Sequence, residues 1–268
     1  GQRDGVDARV ADEELVVADI SETLLVNTDT VDPKYLAKLV GYIDYGSSAK
    51  GCRIVAGPLS QKFKRTVTFE LKDGFKIEVE LDLIGKQNLP ALAAAVLVGS
   101  KLELKPEEVK AGIDSVKPLP GRMQLLKGEK GSLLIDDTYN ASPEAVIAAL
   151  GTLYEASAKQ KIAILGQMNE LGKFSPELHK KVGEMCDPKQ LDLLVTLGKD
   201  ANSYLADVAE KRGCKVMRCP SPYHAADVIR PFIKKGTLIL AKGSQNGVFA
   251  EESLKELLDN PADASKLV

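Results

Sequence analysis

Apolar positions along the chain change their spacing three times, and each change predicts a different element. Val16, Val17, Ile20, Leu24, Leu25 and Val26 run into Asn27-Thr28-Asp29-Thr30, which predicts a strand stopped by a loop. Asp32-Pro33 then opens a helix over Lys34 to Val40. From Arg65 the period becomes two, with Val67, Phe69 and Leu71 answered by Ile77, Val79 and Leu81 across Asp73-Gly74, an antiparallel hairpin. Leu89 to Val98 is apolar on nearly every face, as in a helix packed inside a domain, and Pro106-Glu107-Glu108 starts another helix with its carboxylates near the positive dipole end.

Lys117-Pro118-Leu119-Pro120-Gly121 cannot continue a helix, so it marks a domain boundary, giving domains over 1–116 and 117–268. Beyond it, strands at Leu133 to Ile135, Ile162 to Leu165, Leu191 to Leu197, Lys215 to Met217 and Leu238 to Ala241 alternate with helices. These helices run over Pro143 to Glu155, Pro176 to Met185, Ala201 to Lys211, Pro222 to Ile233 and Ala250 to Leu258. Such alternation predicts crossover units, hence an α/β domain with a mostly parallel sheet covered on both faces. In the first helix Val146, Ala149, Leu150 and Leu153 form one buried stripe.

Composition narrows the field. The 268 residues carry 36 Lys+Arg and 38 Asp+Glu, a net charge of −2, which argues against a partner held through phosphate backbones, so nucleic acid is not expected. With 44% hydrophobic and 28% charged residues and no apolar run of membrane-spanning length, the chain reads as a soluble protein with no membrane partner. Cys52, Cys186, Cys214 and Cys219 form no Cys-x-x-Cys pair, and only two histidines accompany them. No metal site is therefore predicted, and the thiols are expected to be reduced and structural. The first residues, Gly-Gln-Arg-Asp-Gly, show neither an initiator Met nor a leader, and are expected of a cytoplasmic, monomeric protein that begins in mid-sequence.

Ligands of open α/β sheets bind beyond the carboxyl ends of strands, so the loops there are the candidate sites. Three carry unusual residues. In Ile135-Asp136-Asp137-Thr138-Tyr139-Asn140-Ala141-Ser142-Pro143 two carboxylates end a strand, able to grip ribose hydroxyls or to serve only loop and cap chemistry. Leu165-Gly166-Gln167-Met168-Asn169-Glu170-Leu171-Gly172, with Ser175 and His179 following, presents backbone donors near a helix start. There His179 is either functional or satisfied by a neighbour, and favours the neutral imidazole. Leu240-Ala241-Lys242-Gly243-Ser244-Gln245-Asn246 delivers a lysine and a glycine to a loop at the same sheet edge, the lysine either meeting a carboxylate or phosphate or being a solvated loop residue.

These three strings, in this order, resemble the C-terminal domain of the Mur ligase family. The resemblance extends back through Pro120-Gly121-Arg122, Gly85-Lys86-Gln87-Asn88 and Val26-Asn27-Thr28-Asp29. It implies a remnant of a mixed-sheet central ATPase domain followed by a Rossmann-like domain. It also implies ATP-dependent amide-bond synthesis in peptidoglycan precursor formation, a carboxylate being phosphorylated and then attacked by an amine, with ATP and magnesium as cofactors. UDP-muramoyl-peptide and D-alanyl-D-alanine are the implied substrates. Carried over by position, Asn88, Arg122 and Asp137 would contact the nucleotide, and Asn140, Glu170, Lys242 and Ser244 the incoming dipeptide. His179 and Lys242 would be the catalytic groups.

The resemblance has gaps. No Gly-x-x-x-x-Gly-Lys-Ser/Thr occurs, and Gly46-Ser47-Ser48-Ala49-Lys50-Gly51 lacks that spacing, so the chain alone is expected to be inactive. Gln87 stands for the family's His, Pro90 stands where its adenine-contacting Asn belongs, and Val10-Ala11-Asp12-Glu13-Glu14-Leu15 holds no counterpart of its modified lysine. A non-catalytic binding module, a folylpoly-γ-glutamate synthase-like ligase and a peptidoglycan-amidating subunit remain as alternatives.

Overall fold

The computed structural model describes Val16 and residues 20–268, so the Val10–Leu15 stretch, where the modified lysine was sought, lies outside the described residues. The chain parts into two units, the first made of residues up to 57, 65–81 and 87–116, the second of 58–64, 82–86 and 117–268.

In the first unit a sheet runs β1 (Leu25–Asn27), β2 (Ile43–Gly46), β3 (Cys52–Ala56), β4 (Arg65–Leu71) and β5 (Lys76–Leu81) in that spatial order. The first three strands are parallel and the last two antiparallel to their neighbours. The predicted hairpin is β4–β5, with Val67 opposite Val79 and Phe69 opposite Ile77. Its turn is held by the Asp73 carboxylate accepting the Phe75 amide at 3.0 Å. Val16 and Ile20, read with the first strand, have helical backbone and are exposed, so β1 keeps only the end of that run. The helix after Asp32 is a single turn, α1 (Pro33–Leu36), and α2 (Leu89–Lys101) and α3 (Pro106–Asp114) follow. Pro90 sits in the first turn of α2, where a missing amide costs no helical bond.

The second unit holds β6 (Gln124–Gly128), β7 (Ser132–Asp136), α4 (Pro143–Glu155), β8 (Gln160–Gly166), α5 (Ser175–Glu184), β9 (Leu193–Leu197), α6 (Ala206–Lys211), β10 (Val216–Cys219), α7 (Pro222–Ile229), β11 (Thr237–Lys242) and α8 (Ala250–Lys255). Its sheet order is β10-β9-β8-β11-β7-β6, all parallel except the edge strand β6. The expected α/β architecture with a mostly parallel sheet is thus present. Every residue of β8 and β11 is buried, as central strands covered on both faces must be. One face packs Val146, Leu150 and Leu153 of α4 with Val182 of α5, and the other packs Ala225 and Ile229 of α7 with Leu254 of α8. Leu59, Phe63 and Ile84, from the two earlier segments of this unit, join the first of these cores.

Serine-proline pairs open α4, α5 and α7, and in α4 and α7 the serine side chain caps the helix. The Ser142 hydroxyl accepts the Ala145 amide at 3.3 Å, and that of Ser221 accepts the His224 amide at 3.2 Å, each satisfying a donor the helix leaves free. The helix read over Ala201 to Lys211 opens on a π-helical stretch, Ala201–Leu205, before α6. All four cysteines are buried free thiols, and burial pushes Cys52 and Cys186 up to about 12, so neither carries reactive thiolate at neutral pH. Among the described residues no helix is long and apolar enough to cross a membrane.

Candidate functional site

The strand order explains why three distant loops meet. The chain leaves β7, crosses over α4 to β8, and comes back last to insert β11 between them. The loops after β7, β8 and β11 therefore share one stretch of carboxyl edge, where the crossovers turn away and leave a crevice.

Their backbones pack at the floor. A Cβ on Gly166, the last residue of β8, would lie 2.9 Å from the Gly243 Cα and 2.6 Å from Val248 Cγ1, so the approach requires glycine. Above it the Ser244 amide donates to the Gln167 carbonyl at 3.0 Å, and the Ser244 hydroxyl accepts the Asn169 amide at 2.9 Å. Asn169 Nδ2 donates to the Asn246 carbonyl at 2.8 Å, tying the second loop to the third. The result is a polar pocket of about 190 Å³ whose rim includes Asn140, Glu170, Ser244 and Asn246. Glu170 holds a left-handed backbone, φ +64°, and is exposed.

The first loop is pinned by its two aspartates, both withdrawn from solvent. Asp136 is fully buried, its carboxylate accepting the Gly121 amide at 2.9 Å and the Thr138 hydroxyl at 2.6 Å, and desolvation raises its pKa. Asp137 accepts the Met123 amide at 3.2 Å and meets Lys242 Nζ at 2.7 Å. Burial raises its carboxyl and the lysine opposes that rise. The same ammonium donates to the Asn140 carbonyl at 2.9 Å and to the Asp137 carbonyl at 3.4 Å. Three donors therefore go to one loop.

These contacts locate the sequence-based candidates. Lys242 is 2% exposed with its three N–H groups directed at the Asp137–Asn140 loop, so in this structure its charge clamps that loop. Asp137 has both carboxylate oxygens engaged inside the protein and positions that loop. His179 is fully buried, its Nε2 accepting the Met168 amide at 3.1 Å and its Nδ1 lying 2.8 Å from the Ser175 carbonyl. This partner set requires the tautomer protonated on Nδ1, with both ring nitrogens engaged inside the protein. Desolvation lowers its pKa, so the ring is neutral as the helix-start argument expected, by burial.

The structure brings Asn140, Glu170 and Ser244 together around the pocket. Arg122 is exposed, its guanidinium 4.3 Å from the centroid of the Tyr139 ring, and Tyr139 itself lines the pocket. Asn88 lies in the first unit as the half-buried residue before α2, its side chain making no cap bond. Tyr139, Asn169, Gln245 and Asn246 also line the pocket; none carries a role in the sequence reading, although all four sit inside its three loop strings. Among the described residues no three His, Cys, Asp or Glu side chains are grouped to hold a metal ion.

Comparison with known proteins agrees with this geometry. Residues 121–245 match the family described as Mur ligase, glutamate ligase domain. The UDP-N-acetylmuramoyl-tripeptide:D-alanyl-D-alanine ligase of Bacillus subtilis is 30% identical over 184 residues, which cover 68% of this chain and 40% of that protein. Its Escherichia coli counterpart is 34% identical over 131 residues, 47% of this chain and 28% of that protein. A crystal structure of MurF ligase from Thermotoga maritima in complex with ADP shares the fold, with a TM-score of 0.75 at 24% identity, covering 91% of this chain and 54% of that one. The chain therefore spans about half or less of the length of these relatives. Through residues 121–245 it belongs to the Mur ligase family.

Proposed function

We propose that this chain is the acceptor-binding part of an ATP-dependent ligase that joins D-alanyl-D-alanine to a UDP-muramoyl-tripeptide. The observation that carries the reading is the small polar pocket at the shared carboxyl edge of β7, β11 and β8, supported by the similarity to ligases of that name. A volume of about 190 Å³ with Asn140, Ser244 and Asn246 as hydrogen-bonding groups suits a small, doubly charged acceptor rather than an apolar one.

Each residue has a distinct task in this reading. Glu170 holds a carboxylate at the rim, where it attracts an incoming ammonium. Ser244 and Asn169 set the pocket wall through their mutual bond. Lys242 and Asp137 keep the Asn140 loop in place from beneath. Arg122, exposed and stacked on Tyr139, fits a nucleotide phosphate, since an aromatic face pre-orients the guanidinium fork without neutralising it. Bound ATP supplies the phosphoryl group that activates a carboxylate toward the amine.

Titration of the ¹⁵N-labelled chain tests the reading. D-Alanyl-D-alanine is expected to shift the amides of Asn140, Asn169, Ser244 and Asn246 saturably and more tightly than L-alanyl-L-alanine, with ADP shifting Arg122 and Tyr139. Equal response to both enantiomers, or shifts away from the pocket, would overturn it. Phosphate release by the whole reading frame, dependent on tripeptide and dipeptide together, separates a ligase from a binding module.

A further inference from the structure

The first unit carries a cleft that the proposed reaction does not use. Ile43, Gly51, Leu71 and Leu97 line a cavity of about 420 Å³, and Ile43, Gly51 and Lys72 continue into an adjoining one of about 360 Å³ that includes Tyr42 and Lys50. Leu71 and Leu97 are buried, so the walls are apolar side chains fixed by the sheet and α2. The cleft lies where β2 and β3 begin and the β4–β5 hairpin turns. That is the amino end of the parallel strands, opposite the edge where an α/β sheet takes its main ligand.

Its charge is unbalanced. Lys50, Lys72 and Lys101 all line it and all are exposed. Elsewhere in this unit Lys34, Lys76 and Lys110 pair with Asp32, Glu70 and Asp114, whereas none of the three cleft lysines has an acid partner among the described residues. Asp73 and Asp44 also line the two cavities, leaving three lysines against two aspartates, and both carboxylates accept backbone amides in turns. Asp44 accepts the amides of Lys50 and Gly51 at 2.8 and 2.6 Å, and Asp73 accepts that of Phe75. The Lys72 amide donates to the Gly51 carbonyl at 3.2 Å, which fixes the hairpin end beside the Lys50 turn and brings two ammonium stems to one mouth.

We propose that this cleft binds a small anion with an apolar body, an aryl or acyl group bearing a carboxylate or a phosphate. The apolar walls take the body and the lysines take the head, which is the usual division of labour in a small-molecule site of this volume. The site stands apart from the acceptor pocket of the second unit and does not depend on the ligase reading.

The probes are 2-naphthoate, 1-naphthyl phosphate and the neutral 2-naphthol, titrated into the ¹⁵N-labelled chain. At least one anion is expected to bind saturably and roughly tenfold or more tighter than 2-naphthol, moving the amides of Gly51, Leu71, Leu97 and Ser100. The tighter of the two anions identifies the head group. Lys72→Met and Lys101→Met are each expected to weaken the anion roughly two- to fivefold, leaving 2-naphthol and the melting temperature unchanged. Equal binding of 2-naphthol, anion affinity insensitive to both substitutions, shifts confined to other residues, or no saturation up to about 10 mM would each overturn the proposal.

Discussion

Replacing Lys242 with Met removes the ammonium and keeps much of the side-chain volume, so it isolates the charge. The two side chains of the Lys242–Asp137 pair are 3% and 8% exposed, which places the pair in the class whose disruption from one side leaves an uncompensated buried charge. Asp137 would keep only the Met123 amide, and the carbonyls of Asp137 and Asn140 would lose their donor. The expected cost is about 3–5 kcal/mol at pH 8, or roughly 6–20 °C in melting temperature for a unit of this size. Without the lysine the folded-state pKa of Asp137 rises further above its unfolded value. The penalty therefore falls on the ionised form, is full above the folded pKa and shrinks as pH drops toward it. Adding Asp137→Asn removes the stranded charge, and a double-mutant cycle should give a coupling of about 2–3 kcal/mol. Urea unfolding at pH 8 and pH 5.5, with hydrogen exchange at Leu240 assigning the transition to the second unit, provides the measurement. A loss under about 1 kcal/mol at pH 8, or a larger deficit at pH 5.5, would refute the buried-clamp assignment.

Three further outcomes are expected. His179 has its folded pKa depressed by burial, so its contribution is present above the ordinary imidazole value of about 6.5 and is lost as pH falls below it. His179→Gln should flatten the stability-versus-pH curve in that window, and an unchanged slope would show that the ring titrates as it does in the unfolded chain. Gly166→Ala forces a Cβ against Gly243 and Val248 and should cost about 1–3 kcal/mol in urea unfolding, whereas Gly151→Ala, with open space around its Cβ, should not. Arg122→Ala should weaken ADP binding by roughly tenfold in calorimetry with stability within about 0.5 kcal/mol of the parent, and Arg122→Lys should restore only part because it loses the stacked fork.

The elements that sequence reading recovered are those whose signals are local. Ser142-Pro143 and Ser221-Pro222 announce helix starts through their own cap chemistry, and the alternation of Val67, Phe69 and Leu71 needs no distant partner to be read. Strands β2, β3 and β6 escaped because each holds only two large apolar side chains, Ile43 and Tyr45, Ile54 and Val55, and Leu125 and Leu126, too few to show a period. The three candidate loops were legible by position, but their convergence was not, since it depends on β11 inserting between β7 and β8. The partners of Lys242 and His179 were illegible for a related reason. A lysine 105 residues from the Asp137 carbonyl it bonds, and a histidine whose acceptor nitrogen meets an amide 11 residues back, have partners that only the folded chain specifies.

The Gly166–Gly243 contact bears on how this pocket can change over time. At its floor the main chains of Gly166 and Gly243 meet beneath the Val248 side chain, so neither glycine can drift to another residue without pushing the loops apart. Tyr139, Glu170 and Asn246, by contrast, are exposed on the rim and can be exchanged singly with little effect on the scaffold beneath. A pocket built this way can acquire a preference for a different small acceptor by rim substitutions alone, while the geometry of its base is inherited intact.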